Sequence, residues 1–454
     1  MEGETQQLLE ETEKLSLSTR LAYGVGHVLN DICSSMWFTY LLVFLHLVLK
    51  FDHWEAGFLL LVGQVADAIA NPFVGYQSDQ RDTLWICKYG QRKIWHLVGT
   101  LCVLIGFPFI FLPCLNTDSH RWVQLFYYSV FIIIFQFGWA AVQIAHLSIM
   151  PELTPDEHER TRLAATRYCF TVISNVLVYF VSWVVFGYDD GNDKQISPSD
   201  AFEFQKIVWA GLSVGIVCTI IYHMLIHEDN SVFHDHHEKN KISLGIFQIL
   251  GNFRYYQAAI VYMSTMLYIN LTQVFVPLYL HETLDMSASA LAKIPLVIYL
   301  GSLATSFVVG SLNKYLGRKL AYVSGACIGL AACAWVHVRS HSPDFTYYEI
   351  YVVAIMFGIT SSIILVTNLG VTADAIGDKT GSGAFVYGIM CFTDKLSNGI
   401  AVFLIQDYHK SFPDTSYYGQ VLSFICGSAL ILGSLGVISL SICKPKNKYY
   451  TLVP

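Results

Sequence analysis

Apolar residues run through this chain in long blocks separated by short polar stretches. The blocks fall near residues 20–49, 54–76, 93–113, 122–149, 164–187 and 205–226, and, beyond a longer polar stretch, near 254–281, 291–312, 319–338, 346–371, 383–406 and 417–443. Each has about the ~20 residues with which an α-helix crosses the hydrocarbon core of a bilayer. Lipid offers the backbone no hydrogen-bond partner, so each block must satisfy its own N–H and C=O groups as a helix. The pattern predicts an all-α membrane protein with twelve transmembrane helices. Its parts are an N-terminal tail (1–19), a six-helix bundle (20–226), a polar linker (227–253), a second six-helix bundle (254–443) and a C-terminal tail (444–454).

Composition agrees with a bilayer protein. Of 454 residues, 54% are hydrophobic and only 13% charged, where soluble domains carry about 25%. The net charge of −7 is spread through loops and predicts no nucleic-acid partner. The eleven cysteines sit singly, as at Cys102, Cys169, Cys218 and Cys327, without metal-ligand or redox spacing. No cofactor or metal is expected, and no nucleophile–base pair stands at a spacing an enzyme would use. Residues 1–20 are acidic and polar, so the first apolar block is expected to act as its own targeting signal. Placing both termini in the cytosol puts 19 of the 27 Lys and Arg on the cytosolic side, as the positive-inside rule asks. The linker gathers His227, His234, His236 and His237 near His223, which fits a solvated segment better than a metal site.

The two halves repeat one another. Gly75…Asp79…Gly90-Gln91-Arg92-Lys93 has a shortened counterpart in Gly310-Ser311-Leu312-Asn313-Lys314-Tyr315-Leu316-Gly317-Arg318-Lys319. Pro151-Glu152 followed by Arg167 is echoed by Ala373-Asp374 followed by Lys395. Matched basic turns after the second helix of each half indicate parallel halves about a pseudo-two-fold axis, a transporter architecture. Ionisable residues inside the blocks point the same way. Asp67 stands mid-block with Asn71 four residues on, so both lie on one helix face. An acid there costs about 3 kcal/mol to insert and needs a structural partner or a polar cavity that uses it. Three further sets share a face: His27 with Asp31, Arg167 with Thr171, and Cys391 with Lys395 and Asn398. Trp37, Trp139 and Tyr387 are expected either to line a pocket or to pack the core. Asn270-Leu271-Thr272 has the form of a glycosylation sequon but lies inside a block.

The turn from Gly75 and Asp79 to Gly90, Arg92 and Lys93 resembles the loop between the second and third helices of the major facilitator superfamily. Tyr23-Gly24-Val25-Gly26 and Asp67-Ala68-Ile69-Ala70-Asn71-Pro72 resemble its melibiose-type sugar–cation symporters. A resemblance over nearly the whole chain is to a lysosomal and melanosomal cysteine-transporting branch of the superfamily. It is carried by Gly26-His27-Val28-Leu29-Asn30-Asp31, Ser35-Met36-Trp37-Phe38-Thr39-Tyr40, Lys93-Ile94-Trp95-His96, Phe135-Gln136-Phe137-Gly138-Trp139 and Ser382-Gly383-Ala384-Phe385-Val386-Tyr387-Gly388. The resemblance implies the major facilitator fold and import of L-cysteine into acidic organelles, with an effect on pigment.

Residue by residue, the resemblance to the melibiose type implies that Asp31 is a substrate acid and Asp67 the first acid of the cation site. It also implies that Arg167 and Lys395 are the bases of the central cavity. Asn71 stands where that type has a second cation-site acid, and Gln143 where it has a second sugar-binding acid. One carboxylate beside an amide suits a proton better than Na⁺, which needs several hard oxygen ligands. With Gln143 neutral, Asp31 is expected to face Arg167 and Lys395. An acid for an ammonium and a base for a carboxylate would fit an amino-acid zwitterion. Asn30, Cys391, Trp37, Trp139 and Tyr387 complete the expected substrate pocket. Gly75, Asp79, Gly90, Arg92 and Lys93 with Gly317 and Arg318 form the expected gating turns. The tails carry Glu4…Leu8-Leu9 and Tyr449…Leu452, the forms of dileucine and tyrosine sorting signals read by clathrin adaptors. Competing expectations are a sugar–cation symporter and a non-transporting receptor or scaffold, the latter disfavoured because a scaffold has no use for intramembrane charge.

Overall fold

The computed structural model describes residues 15–78, 90–114, 120–154, 157–187, 195–228, 253–340, 342, 344–376, 383–410 and 414–440. In chain order the helices are α1 (Leu17–Val48), α2 (His53–Ser78), α3 (Gln91–Ile110), α4 (Arg121–Leu153), α5 (Glu157–Gly187) and α6 (Ala201–Leu225). The second half has α7 (Phe253–Leu278), a continuous helical stretch Ala290–Arg339, α10 (Ile350–Ile376), α11 (Gly383–His409) and α12 (Tyr417–Ser439). At 1.5 Å per residue the 50 residues of Ala290–Arg339 would reach about 75 Å, more than twice a hydrocarbon core. Gly317 breaks this stretch with φ 74° and ψ 159°, dividing it into α8 (290–316) and α9 (318–339). Among the described residues, ten segments are long and apolar enough to cross a membrane. Dividing Ala290–Arg339 supplies an eleventh, and α11, made less apolar by Asp394 and Lys395, is the twelfth.

The repeat read from the sequence is built into the backbone. Among the described residues, positive φ is confined to Gly90 (116°), Gly317 (74°), Lys50 (56°) and Asp285 (53°). Gly90 and Gly317 each precede the third helix of a half, where a side chain would strain the turn. Lys50 and Asp285 follow the first helix of each half, and both helices end in a π turn, Phe44–Val48 and Tyr279–Thr283. The same long-range closures recur: Phe51 N–H donates to the Leu45 carbonyl (3.0 Å), and Met286 N–H to that of Leu280 (2.9 Å). A basic residue at the start of each third helix ties down the end of each sixth. Lys93 Nζ donates to the His223 and Ile226 carbonyls (3.1 and 2.7 Å), and Lys319 Nζ to the Ile438 carbonyl (3.2 Å). A cation there also meets the negative end of the helix dipole.

The halves meet along α2 with α11, α5 with α8, and α1 with α7. One apolar core runs through both, from Trp37, Phe44 and Phe135 to Phe275, Tyr322 and Tyr418. Side chains that join the halves include Tyr40, whose O–H donates to the Leu291 carbonyl (3.5 Å), and Tyr179, whose ring lies 5.0 Å from that of Tyr299.

Candidate substrate and coupling site

α1 is interrupted at Gly26-His27, between the helical runs Leu17–Val25 and Val28–Val43. Carbonyls near the interruption find partners on other helices, as a broken helix in lipid requires. His96 Nε2–H donates to the Gly26 carbonyl (3.0 Å), and His146 Nε2–H to that of Tyr23 (2.7 Å). These two buried imidazoles thus hold the break open. The break presents His27 and, one turn on, Asp31.

Asp31, only 6% exposed, accepts from His27 Nδ1–H (2.9 Å) and from the Thr171 hydroxyl (2.9 Å). Arg167 Nη2 lies 3.0 Å from the other ring nitrogen of His27. A guanidinium has only donors, so that nitrogen must accept and the imidazole must be neutral. The result is a chain of three: a cation, a neutral imidazole and an anion, with α5 supplying Arg167 and Thr171 and α1 the rest. Asp31 and Arg167 therefore share one polar network, as expected, but through His27 rather than face to face. Asn30 Nδ2 donates to the Trp139 carbonyl (2.9 Å), bracing α1 against α4.

Lys395 departs from the expectation. It pairs with Asp67 (3.0 Å) across α2 and α11, not with Asp31. Its ammonium also lies over the rings of Trp139 (4.4 Å) and Phe38 (5.8 Å), a favourable placement for a desolvated cation. Asn71 Nδ2 donates to Asp67 Oδ1 (2.8 Å), so the carboxylate is compensated on both oxygens. Next in sequence to Lys395, Asp394 is buried and accepts from Asn398 Nδ2. Asn398 therefore serves Asp394, a residue the sequence reading passed over. An acid directly beside a base in an apolar block was the available signal. Cys391 Sγ lies 3.7 Å from the Tyr262 hydroxyl.

A cavity of about 200 Å³ lies between the halves beside this network. Thr39, Thr171, Asn175 and Tyr179 line it from the N-terminal half, and Thr272, Gln273, Tyr299 and Ser302 from the C-terminal half. Among the described residues no charged side chain lines it, and Thr171 joins it to Asp31. It is smaller than the ~300–1,000 Å³ of sites for drug-sized ligands. Gln143, half-buried on α4, and Trp139 lie outside its lining. Trp37 is a packing residue: 1% exposed, it fills the space left by Gly63 and lies 5.5 Å from the Phe135 ring. The side chain of Tyr387 lies outside the described residues, as do Asp79 and the tail residues Glu4, Leu8, Leu9, Tyr449 and Leu452. Of the expected gating residues, Arg92 and Lys93 both donate backbone N–H groups to the Glu228 carboxylate (3.1 Å). Arg318 donates to the Gly370 carbonyl, and Gly75 stands in open space.

The sequence profile of a family described as MFS/sugar transport protein matches residues 22–408. The chain belongs to this major facilitator family. Its relatives include Major facilitator superfamily domain-containing protein 12 of Mus musculus, 39% identical over 454 residues and covering 94% of each chain. The protein of that name from Homo sapiens is 40% identical over 444 residues, covering 93% of this chain and 92% of the relative. Among solved structures, the xylose transporter XylE from E. coli, in a partially occluded inward-open conformation, superposes with a TM-score of 0.68 at 12% identity. That superposition covers 93% of this chain and 99% of the transporter. Membership of a transporter family gives the intramembrane ionic network its context, and the fold is shared with these structural neighbours.

Proposed function

We propose that this chain carries L-cysteine, as a zwitterion, from the cytosol into lysosomes and melanosomes by alternating access, with both termini and the 227–253 linker cytosolic. The observation that carries the proposal is the Arg167–His27–Asp31 chain beside a small, mainly apolar cavity dotted with hydroxyl groups. A zwitterion can replace the internal bridge, its ammonium taken by Asp31 and its carboxylate by Arg167, while the short thiol side chain needs only a small pocket. The resemblance to the cysteine-transporting branch supports the same substrate. Lys395 is a second cation, held by Asp67 until that acid is protonated. Coupling to protons then runs through Asp67 and Asn71. An acidic lumen would drive a proton symporter to export, so net import calls for the proton on the return limb, when the empty carrier resets. The tail signals would deliver the protein through clathrin adaptors.

The test is exchange uptake of labelled cysteine in cells carrying a surface-trapped form, made by Leu8→Ala and Leu9→Ala with Tyr449→Ala if needed, under a non-thiol reductant. Unlabelled cysteine should compete, while arginine and glutamate should compete poorly. Equal competition by melibiose-like sugars would favour a sugar–cation symporter instead.

A further inference from the structure

On the face where α1, α7 and α11 end and α2 and α12 begin, the halves meet at a cluster of closely spaced imidazoles. The His53 ring lies 3.9 Å from the His46 ring and 3.9 Å from the His409 ring. Thus His53, at the start of α2, is sandwiched between the end of α1 and the end of α11. One carboxylate serves both outer rings: Glu282, at the end of α7, lies 3.5 Å from His46 Nε2 and 4.0 Å from His409 Nε2. His46 Nδ1–H donates to the Phe51 carbonyl (2.9 Å), and His53 Nδ1 lies 3.1 Å from Gln406 Oε1. Tyr417 and Tyr418 pack their rings on His409. Among the described residues, Lys50 acts on His46 and Glu282 and Asp52 on His53, while Tyr418 faces Glu282 and sets its hydroxyl 3.3 Å from His53 Nδ1. No role in substrate recognition reaches this cluster.

We propose that His46, His53, His409 and Glu282 form a proton-binding site that latches this face shut and releases it on acidification. The inference is independent of the substrate. The single charge of Glu282 can neutralise one imidazolium, so a first proton suits the closed arrangement. A second or third puts like charges on tilted rings whose centroids lie 3.9 Å apart, and one of these pairs, His53 with His409, crosses between the halves. Once the halves part, the imidazoles are solvated and titrate near their ordinary pKa of about 6.5. The open form therefore holds more protons, and acid favours it by mass action. Two extra protons would raise the open-to-closed ratio by up to about a hundredfold per pH unit below that value.

The experiment is hydrogen–deuterium exchange of the purified full-length protein in lipid nanodiscs at pH 7.5 and 5.5, corrected for the pH dependence of chemical exchange. Segments 44–56, 279–286 and 400–410 should gain exchange together at pH 5.5 in the wild type. His53→Phe keeps an aromatic ring in the middle of the cluster and removes its charge, so it should reduce that gain at least tenfold. The triple variant His46→Gln, His53→Gln, His409→Gln should lose the gain of exchange at pH 5.5. Glu282→Gln removes the anchoring anion and should move opening to higher pH. Exchange in the wild type that is the same at both pH values would overturn the proposal, as would a full wild-type response in His53→Phe. An opening shifted to lower pH in Glu282→Gln would remove the carboxylate from the site.

Discussion

The two halves of this protein share a backbone plan and differ in what they bury. Both end their first helix in a π turn followed by a left-handed residue, and both open their third helix with a positive-φ glycine. The N-terminal half then buries His27, Asp31, His96 and His146 behind an interrupted α1, with Arg167 completing the chain. In the C-terminal half α11 carries the adjacent pair Asp394 and Lys395, of which Lys395 is committed to Asp67 of the other half. The basic turns differ in the same direction. Lys93 is 4% exposed and bonded to two carbonyls, with Glu228 covering the start of its helix. Lys319 is half-buried and makes one longer bond. A repeated scaffold thus specialises without losing its symmetry: one half holds a self-contained acid–base network, while the other contributes a cation that ties the halves together. Function follows from where the charges sit, because each is costly in lipid and must be paired.

This contrast can be broken most severely at the charges. Truncating one member of a buried charged set costs about 3–5 kcal/mol because its partner is left uncompensated. Asp31→Ala, Arg167→Ala and Lys395→Ala should each lower cysteine exchange at least a hundredfold, with surface abundance measured alongside to confirm folding and trafficking. If Asp31→Ala and Arg167→Ala both keep wild-type exchange, the N-terminal network does not hold substrate. A smaller and more selective effect is expected at Asp67. Asp67→Asn keeps the shape, removes the titratable group and frees Lys395, so net flux should lose its pH dependence while some exchange remains. A wild-type pH profile in this variant would take Asp67 out of the coupling role. The smallest effect separates the two basic turns. Lys93→Met loses two charge-assisted bonds and should destabilise by about 2 kcal/mol, whereas Lys319→Met should cost under about 1 kcal/mol. Thermal melts of the two variants in one detergent would show equal shifts if the halves were equally locked.

Much of the fold was legible in the linear pattern. Runs of ~20 apolar residues dictate helices wherever the solvent is lipid. Gly90 and Gly317 announced the matched turns that the backbone indeed makes. Sequence spacing also placed His27 beside Asp31 and Asn71 beside Asp67, because four residues make about one helical turn and local geometry leaves little choice. What spacing could not decide was which helix faces which. Lys395 was as available to Asp31 as to Asp67 until α11 packed along α2, after which the nearer carboxylate took it. Likewise, nothing in the separate positions of His46, His53, Glu282 and His409 sets them in one cluster. That requires the ends of α1, α7 and α11 and the start of α2 to meet at one face. Periodicity belongs to a single helix and is written in the sequence. The partner of a buried charge is chosen by packing between distant helices, and only the tertiary structure decides it.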